Sequence, residues 1–128
     1  MPHTIVEYSD NLAEEGDIPG LLRKIAAKLC DSGGVFPTGG VRVRAYPAHE
    51  YVIADGKDDY AYVHTVVKLA AGRPADFKKR FFGELFDIIK AHFAEFAERR
   101  YLALSMYVEE VDETGSYKHN NIHRKFKT

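Results

Sequence analysis

A four-stranded mixed α+β sheet, built from two strand–helix–strand units with both helices on one face, is the fold the sequence predicts. Three observations carry that expectation. Apolar residues recur with period 2, then period 3.6, then period 2, and this order occurs twice along the chain. The two occurrences share an offset: His3-Thr4-Ile5-Val6 returns as His64-Thr65-Val66-Val67, 61 residues on, and the same step carries Val41, Val43 and Tyr46 onto Leu102, Leu104 and Tyr107, and Leu21 and Ile25 onto Phe82 and Phe86. Finally, 128 residues that are 45% hydrophobic can fill one core, so residues 1–128 read as a single domain. A strand–helix–strand crossover makes parallel strands with a right-handed connection. If a pseudo-twofold relates the units, the uncovered sheet face meets water or another subunit.

Taken in order, Met1 to Tyr8 alternates and is rich in β-branched residues, a strand with Pro2 at its start, where no ladder N–H is needed. Asp17 suits a helix cap and Pro19 its first turn; Leu21, Leu22, Ile25, Ala26 and Leu29 then recur at helical spacing. Asp31-Ser32-Gly33-Gly34 ends that helix. Val41 to Tyr46 alternates as a strand, interrupted by Pro47, and Tyr51-Val52-Ile53 reads as an extension or an extra strand before the Asp55-Gly56 turn. Tyr60 to Leu69 is the clearest strand. Gly72-Arg73-Pro74 opens a second helix that runs to Arg99 and Arg100, its buried face marked by Phe77, Phe81, Leu85, Ile88 and Phe96 and widened by Phe82, Ile89 and Phe93. Tyr101 to Val111 is the last strand, and Thr114 to Thr128 is a polar, basic tail, within which Tyr117 to His123 reads as an ordered segment docking on a partner or else as frayed.

Charge excludes some functions. Eighteen Lys and Arg balance nineteen Asp and Glu, so nothing pulls the chain generally toward nucleic acid or a membrane surface. Cys30 is alone, which rules out an intrachain disulfide and fits a reducing compartment. No apolar run approaches the ~20 residues of a membrane helix, and the start lacks the pattern of a signal peptide. A cytoplasmic protein is the expectation.

Pro2 has two readings. It can simply begin a strand. Alternatively, trimming of Met1 leaves a secondary amine at the strand end, and an α-amine, with an ordinary pKa of ~7.7–8.0, becomes a good general base when burial or neighbouring cations lower it. Arg42 and Arg44 share one face of their strand, and Arg73 sits where a strand gives way to a helix N-terminus; guanidinium groups of this kind bind carboxylates or make surface ion pairs. Among the histidines, His119 and His123 are four apart, but no third metal ligand is evident and no metal site is expected. His92 reads as a core-edge residue.

The residues Pro2-His3, Ile5-Val6-Glu7, Ser9-Asp10-Asn11, Asp17-Ile18-Pro19-Gly20-Leu21, Phe36-Pro37, Ala54-Asp55-Gly56, Asp59-Tyr60-Ala61, Gly72-Arg73 and Asn120-Asn121, in this order along nearly the whole chain, resemble the 5-carboxymethyl-2-hydroxymuconate Δ-isomerases of the tautomerase superfamily. The Asp31 to Gly34 loop is slightly longer and more polar than that family's pattern. The resemblance implies a homotrimer of doubled strand–helix–strand subunits and a cofactor-independent isomerase acting on a small carboxylate substrate. It implies Pro2 as catalytic base, Arg42 and Arg73 as substrate-binding residues, and Arg44 with less direct correspondence. It places the reaction in homoprotocatechuate meta-cleavage degradation. Two alternatives stay open: a tautomerase for another enol, of phenylpyruvate or oxalocrotonate type, and a non-catalytic oligomeric binding domain.

Overall fold

The computed structural model describes residues 2–126; the questions of Met1 removal and of the last two tail positions lie outside the described residues. Strand β1 (His3–Ser9) is followed by helix α1 (Ile18–Cys30), β2 (Arg42–Ala48), β3 (Tyr60–Ala70), α2 (Ala75–His92), α3 (Ala94–Arg99) and β4 (Tyr101–Val111). The sheet order is β2-β1-β3-β4, with β1 and β2 parallel, β3 and β4 parallel, and the central pair β1 and β3 antiparallel. This is the doubled unit the repeat predicts.

The register locates the symmetry. Ile5 pairs with Val66, its own repeat mate, so the pseudo-twofold passes through that pair. The offset of 61 does not extend to the outer strands. His3 pairs with Arg42, whereas His64 pairs with Ser105, two residues beyond Ala103, which the offset makes the mate of Arg42. The second crossover is therefore two residues longer. Because the slip is even, the same faces stay apolar.

Alternation sorts the sheet into two faces. Thr4, Val6, Val63, Thr65, Val67 and Leu69 are buried beneath the helices, against Leu21, Ile25 and Leu29 of α1 and Phe81, Phe82, Leu85 and Ile89 of α2. Each fully buried side chain of this size contributes ~1.5–3 kcal/mol of apolar transfer. Phe36, from the loop after α1, closes the core with its ring 5.3 Å from Phe81. The opposite face carries His3, Ile5 and Glu7 of β1, Tyr62, His64 and Val66 of β3, and the arginines of β2, with no helix over it; Tyr101 and Tyr107 of β4 are 65% and 61% exposed there.

Local chemistry accounts for the elements. The Asp17 carboxylate accepts from Gly20 N at 3.1 Å and caps α1, and a Cβ on Gly20 would lie 2.1 Å from Asp17 Oδ2, so a larger residue there would push the capping carboxylate aside. Pro47 does not end β2 as expected. It sits within the strand opposite Tyr8, and β2 is an edge strand, where a missing N–H costs no ladder bond. Tyr51-Val52-Ile53 forms no strand; Tyr51 and Val52 are exposed in the loop between the two halves. The second helix is not continuous to Arg100. It breaks at Phe93, whose φ of −102° and ψ of 9° turn the chain so that Phe93 and Phe96 both reach the core, and Ile89 rather than Ile88 is the fully buried member of that stripe. His92 sits at this break, half-buried: Nε2 donates to Gly16 O and Asp17 O at 2.8 and 3.1 Å, and Nδ1 accepts from Lys24 Nζ at 2.9 Å. The tail from Asn120 to Phe126 packs back on its own chain and is not frayed.

Candidate active site

One end of the sheet gathers the predicted site residues because the strand directions require it. The starts of β1 and β2, the ends of β3 and β4 and the N-terminus of α2 all lie there. Pro2 is buried at the head of β1, a central strand, and its carbonyl accepts from Arg42 N at 3.1 Å. Alternation puts Pro2 on the same side as Thr4 and Val6, toward the helices.

The arginines approach this end from opposite faces of the sheet. Arg73, half-buried, lies on the helix side. Its Nη1 donates to Ala70 O at 2.8 Å and its Nη2 to Val35 O at 3.3 Å, with the guanidinium 4.8 Å over the Phe36 ring. It thereby ties the end of β3 to the loop preceding β2. Arg42 and Arg44 lie on the open side, level with His3 and Ile5. Arg42 Nη1 donates to Gly40 O at 3.1 Å. Arg44 Nη1 donates to His3 Nδ1 at 3.1 Å. A guanidinium has only hydrogens to offer, so His3 must accept at Nδ1 and carry its proton on Nε2. The same surroundings hold the His3 pKa below its ordinary 6.5, through burial first and then the charges of Arg44 and Arg42. His3 is a neutral wall beside two fixed cations. The three arginines thus flank the start of β1, Arg42 and Arg44 on the open side and Arg73 on the helix side.

On the open side, a cavity of ≈ 260 Å³ is bounded by His3, Arg42, Lys118, His119, Asn120 and His123. The C-terminal segment forms its outer wall, and hydrophobic periodicity did not point to it. Its signals in the sequence were the polar run Tyr117 to His123, the spacing of His119 and His123, and Asn120-Asn121 among the residues of the resemblance. Phe36 was invisible as the platform for Arg73, being one apolar residue in a loop. His119 and His123 do line one cavity, yet among the described residues no three His, Cys, Asp or Glu side chains are placed to hold a metal ion. A shallower apolar groove of ≈ 400 Å³ between α2 and β4, lined by Phe82, Phe86, Met106 and Val108, contains none of the candidate residues. Among the described residues, no helix is long and apolar enough to cross a membrane.

Comparison with known proteins agrees with this geometry at two levels. The fold recurs in distant structures, including a macrophage migration inhibitory factor-like protein from Entamoeba histolytica, with a TM-score of 0.63 at 15% identity over 92% of this chain and 96% of that one. At closer range, a crystal structure of a 5-carboxymethyl-2-hydroxymuconate isomerase from Deinococcus radiodurans R1 superposes with a TM-score of 0.94 at 40% identity, covering 99% of this chain and 95% of that one. A 5-carboxymethyl-2-hydroxymuconate Delta-isomerase from Escherichia coli is 45% identical over 127 residues, 99% of this chain and 100% of the relative. The sequence profile of 5-carboxymethyl-2-hydroxymuconate isomerase matches residues 2–126. The chain is an isomerase with the tautomerase-superfamily fold, and it belongs to the 5-carboxymethyl-2-hydroxymuconate isomerase family.

Proposed function

We propose that the chain isomerises 5-carboxymethyl-2-hydroxymuconate to its 2-oxo-enoate form, with the Pro2 amine as general base. The observation that carries this reading is the position of Pro2, buried at the head of β1 and flanked by Arg42 on one side of the sheet and Arg73 on the other. The neutral amine takes the enol O–H proton. The oxygen lone pair closes to a carbonyl, the dienoate electrons shift along the chain, and the proton returns at carbon, so no atom is gained or lost. The substrate's own carbonyl delocalises the charge, and the chemistry calls for no cofactor. Arg42 and Arg73 hold carboxylates and stabilise the dienolate as it forms, a term that is large in a dry site. Both cations and the burial of Pro2 disfavour the ammonium form, which keeps the base neutral near physiological pH.

The working unit is a homotrimer joined through the uncovered sheet face. Exposed tyrosines and half-buried Ile5 and Val66 on that face support it, as do two structures of this fold described as fused 4-OT trimers. The setting is homoprotocatechuate meta-cleavage in the cytoplasm.

The test compares two preparations defined by intact mass, one retaining Met1 and one beginning at Pro2. An amide nitrogen has no available lone pair, so the first should lose ~10³-fold or more in ketonisation rate. Pro2→Ala, which keeps a primary amine, should fall between them. Equal rates in the two wild-type preparations would exclude Pro2 as the base.

A further inference from the structure

We infer that Lys118, on the C-terminal segment, is a carboxylate-binding and specificity-determining residue: it holds a carboxylate of the substrate remote from the enol. The inference rests on the isomerase reading above and concerns which polycarboxylates that site prefers.

The charge inventory comes first. The family's substrate, by its name, combines a muconate with a carboxymethyl group, three carboxylates in all. Three arginines flank the start of β1, and each donates to a group of its own chain, so their positions decide which face the open side. Arg73 lies on the helix side of the sheet, over Phe36, and Arg44 is turned to His3; neither lines the open-side cavity. That leaves Arg42 as the principal cation of the open-side cavity, one charge where more are needed. Lys118 is the second. It lines the same ≈ 260 Å³ cavity as Arg42, and no carboxylate side chain is among the lining residues. His3, the remaining basic group next to Arg42, is held neutral by its hydrogen bond and its neighbours. Among the described residues, neither Arg42 nor Lys118 is ion-paired with a carboxylate. Two unpaired cations facing one polar cavity are arranged for an anion that bridges them.

The segment bearing Lys118 is also fixed in place. Asn120 Nδ2 donates to Gly39 O at 2.8 Å, and Asn120 Oδ1 accepts from Ile122 N at 2.8 Å. Gly39 has no side chain at the point of contact; a Cβ there would lie 2.8 Å from His123 Nδ1. The next carbonyl of the same turn, Gly40 O, accepts from Arg42. One glycine turn thus braces both Arg42 and the segment that carries Lys118. Preorganised charges bind an anion without the ordering cost a loose tail would bring.

The experiment uses the full-length enzyme and three enols of decreasing charge: 5-carboxymethyl-2-hydroxymuconate, 2-hydroxymuconate and 2-hydroxypenta-2,4-dienoate. Lys118→Ala should raise KM for the first by about tenfold, equivalent to ~1.4 kcal/mol, with kcat within about twofold. KM for the monocarboxylate should not change, and Lys118→Arg should restore the first. An equal KM change on all three enols, or none on the tricarboxylate, would overturn the assignment. So would dissociation of the oligomer in Lys118→Ala by sedimentation, which would make Lys118 an interface residue. Failure of the wild-type enzyme on every enol would instead remove the isomerase reading, and is distinguishable because it precedes any variant.

Discussion

His3 and His64 are mates about the pseudo-twofold, yet their surroundings differ. His3 accepts from the Arg44 guanidinium, directly beside Arg42. His64 Nδ1 lies 2.6 Å from Ser105 Oγ, and its ring meets Tyr107 edge-on at 4.6 Å. By strand pairing, Ser105 stands where Arg42 does and Tyr107 where Arg44 does. The position of Pro2 corresponds to Val63, a core residue with an ordinary peptide nitrogen. The two units therefore share a scaffold while only the first carries arginines on its outer strand; Arg73, the third, comes from the turn between β3 and α2 of the second. A strand-end amine exists where a chain begins, and an internal repeat cannot supply a second one. The fold follows from the pattern common to both halves, and the chemistry from where they depart from it.

The largest expected effect tests that asymmetry at the arginines. Arg42→Ala and Arg73→Ala should each lower kcat/KM by roughly 10²-fold, about 3 kcal/mol of transition-state stabilisation. Ser105→Ala and Tyr107→Phe, at the places on β4 that correspond to Arg42 and Arg44 on β2, should change it by less than about twofold. Arg73→Ala should also unfold more easily, by ~1–2 kcal/mol in urea titration, because Ala70 O and Val35 O lose their donors. Comparable kinetic losses at Ser105 or Tyr107 would mean that β4 touches substrate as β2 does.

A smaller effect tests the shared scaffold. Thr4 and Thr65 are repeat mates, both fully buried, and neither hydroxyl has a hydrogen-bond partner among the described residues. Thr4→Val and Thr65→Val should each stabilise the fold by about 1 kcal/mol, and by similar amounts, since each removes an unsatisfied hydroxyl at an equivalent place. Destabilisation of one alone would show that the two cores are less alike than the register implies.

The smallest concerns pH. The His3 pKa is lowered in the folded protein, so the unfolded chain binds the proton more readily. The stability tied to His3 is fully present above the unfolded value near 6.5 and declines as pH falls below it toward the folded value. His3→Gln should flatten the fall in melting temperature over that acid window. An unchanged slope would show that protonation of His3 is not linked to stability in this window.

The elements were legible because each buries one face, and burial imposes its period on the sequence. The repeat was legible for the same reason. What escaped depended on neighbours in space. Pro47 reads as a strand breaker until β2 is known to be an edge. The break at Phe93 has no glycine or proline to announce it and arises from the need to bury two phenylalanines. The arginines could be found one by one, but that Arg73 and Arg42 stand on opposite faces of the sheet follows only from Arg73 resting on Phe36. Lys118 is one lysine among many until Gly39 and Asn120 fix the segment that carries it.

The self-pairing of Ile5 with Val66 has the geometry of an isologous dimer interface contained in one chain. Each half offers the other the edge it receives. Seen this way, residues 49–59, exposed apart from Ile53 and without strand or helix, are a seam between two units that recognise each other through β1 and β3. The seam is anchored where it enters β3, by Asn11 Nδ2 donating to Tyr60 O and by the Arg100–Asp59 ion pair, both reaching across from other elements. Its length can drift without disturbing either crossover, whereas a single residue added within β1 or β3 would carry the buried face of that strand to the open side.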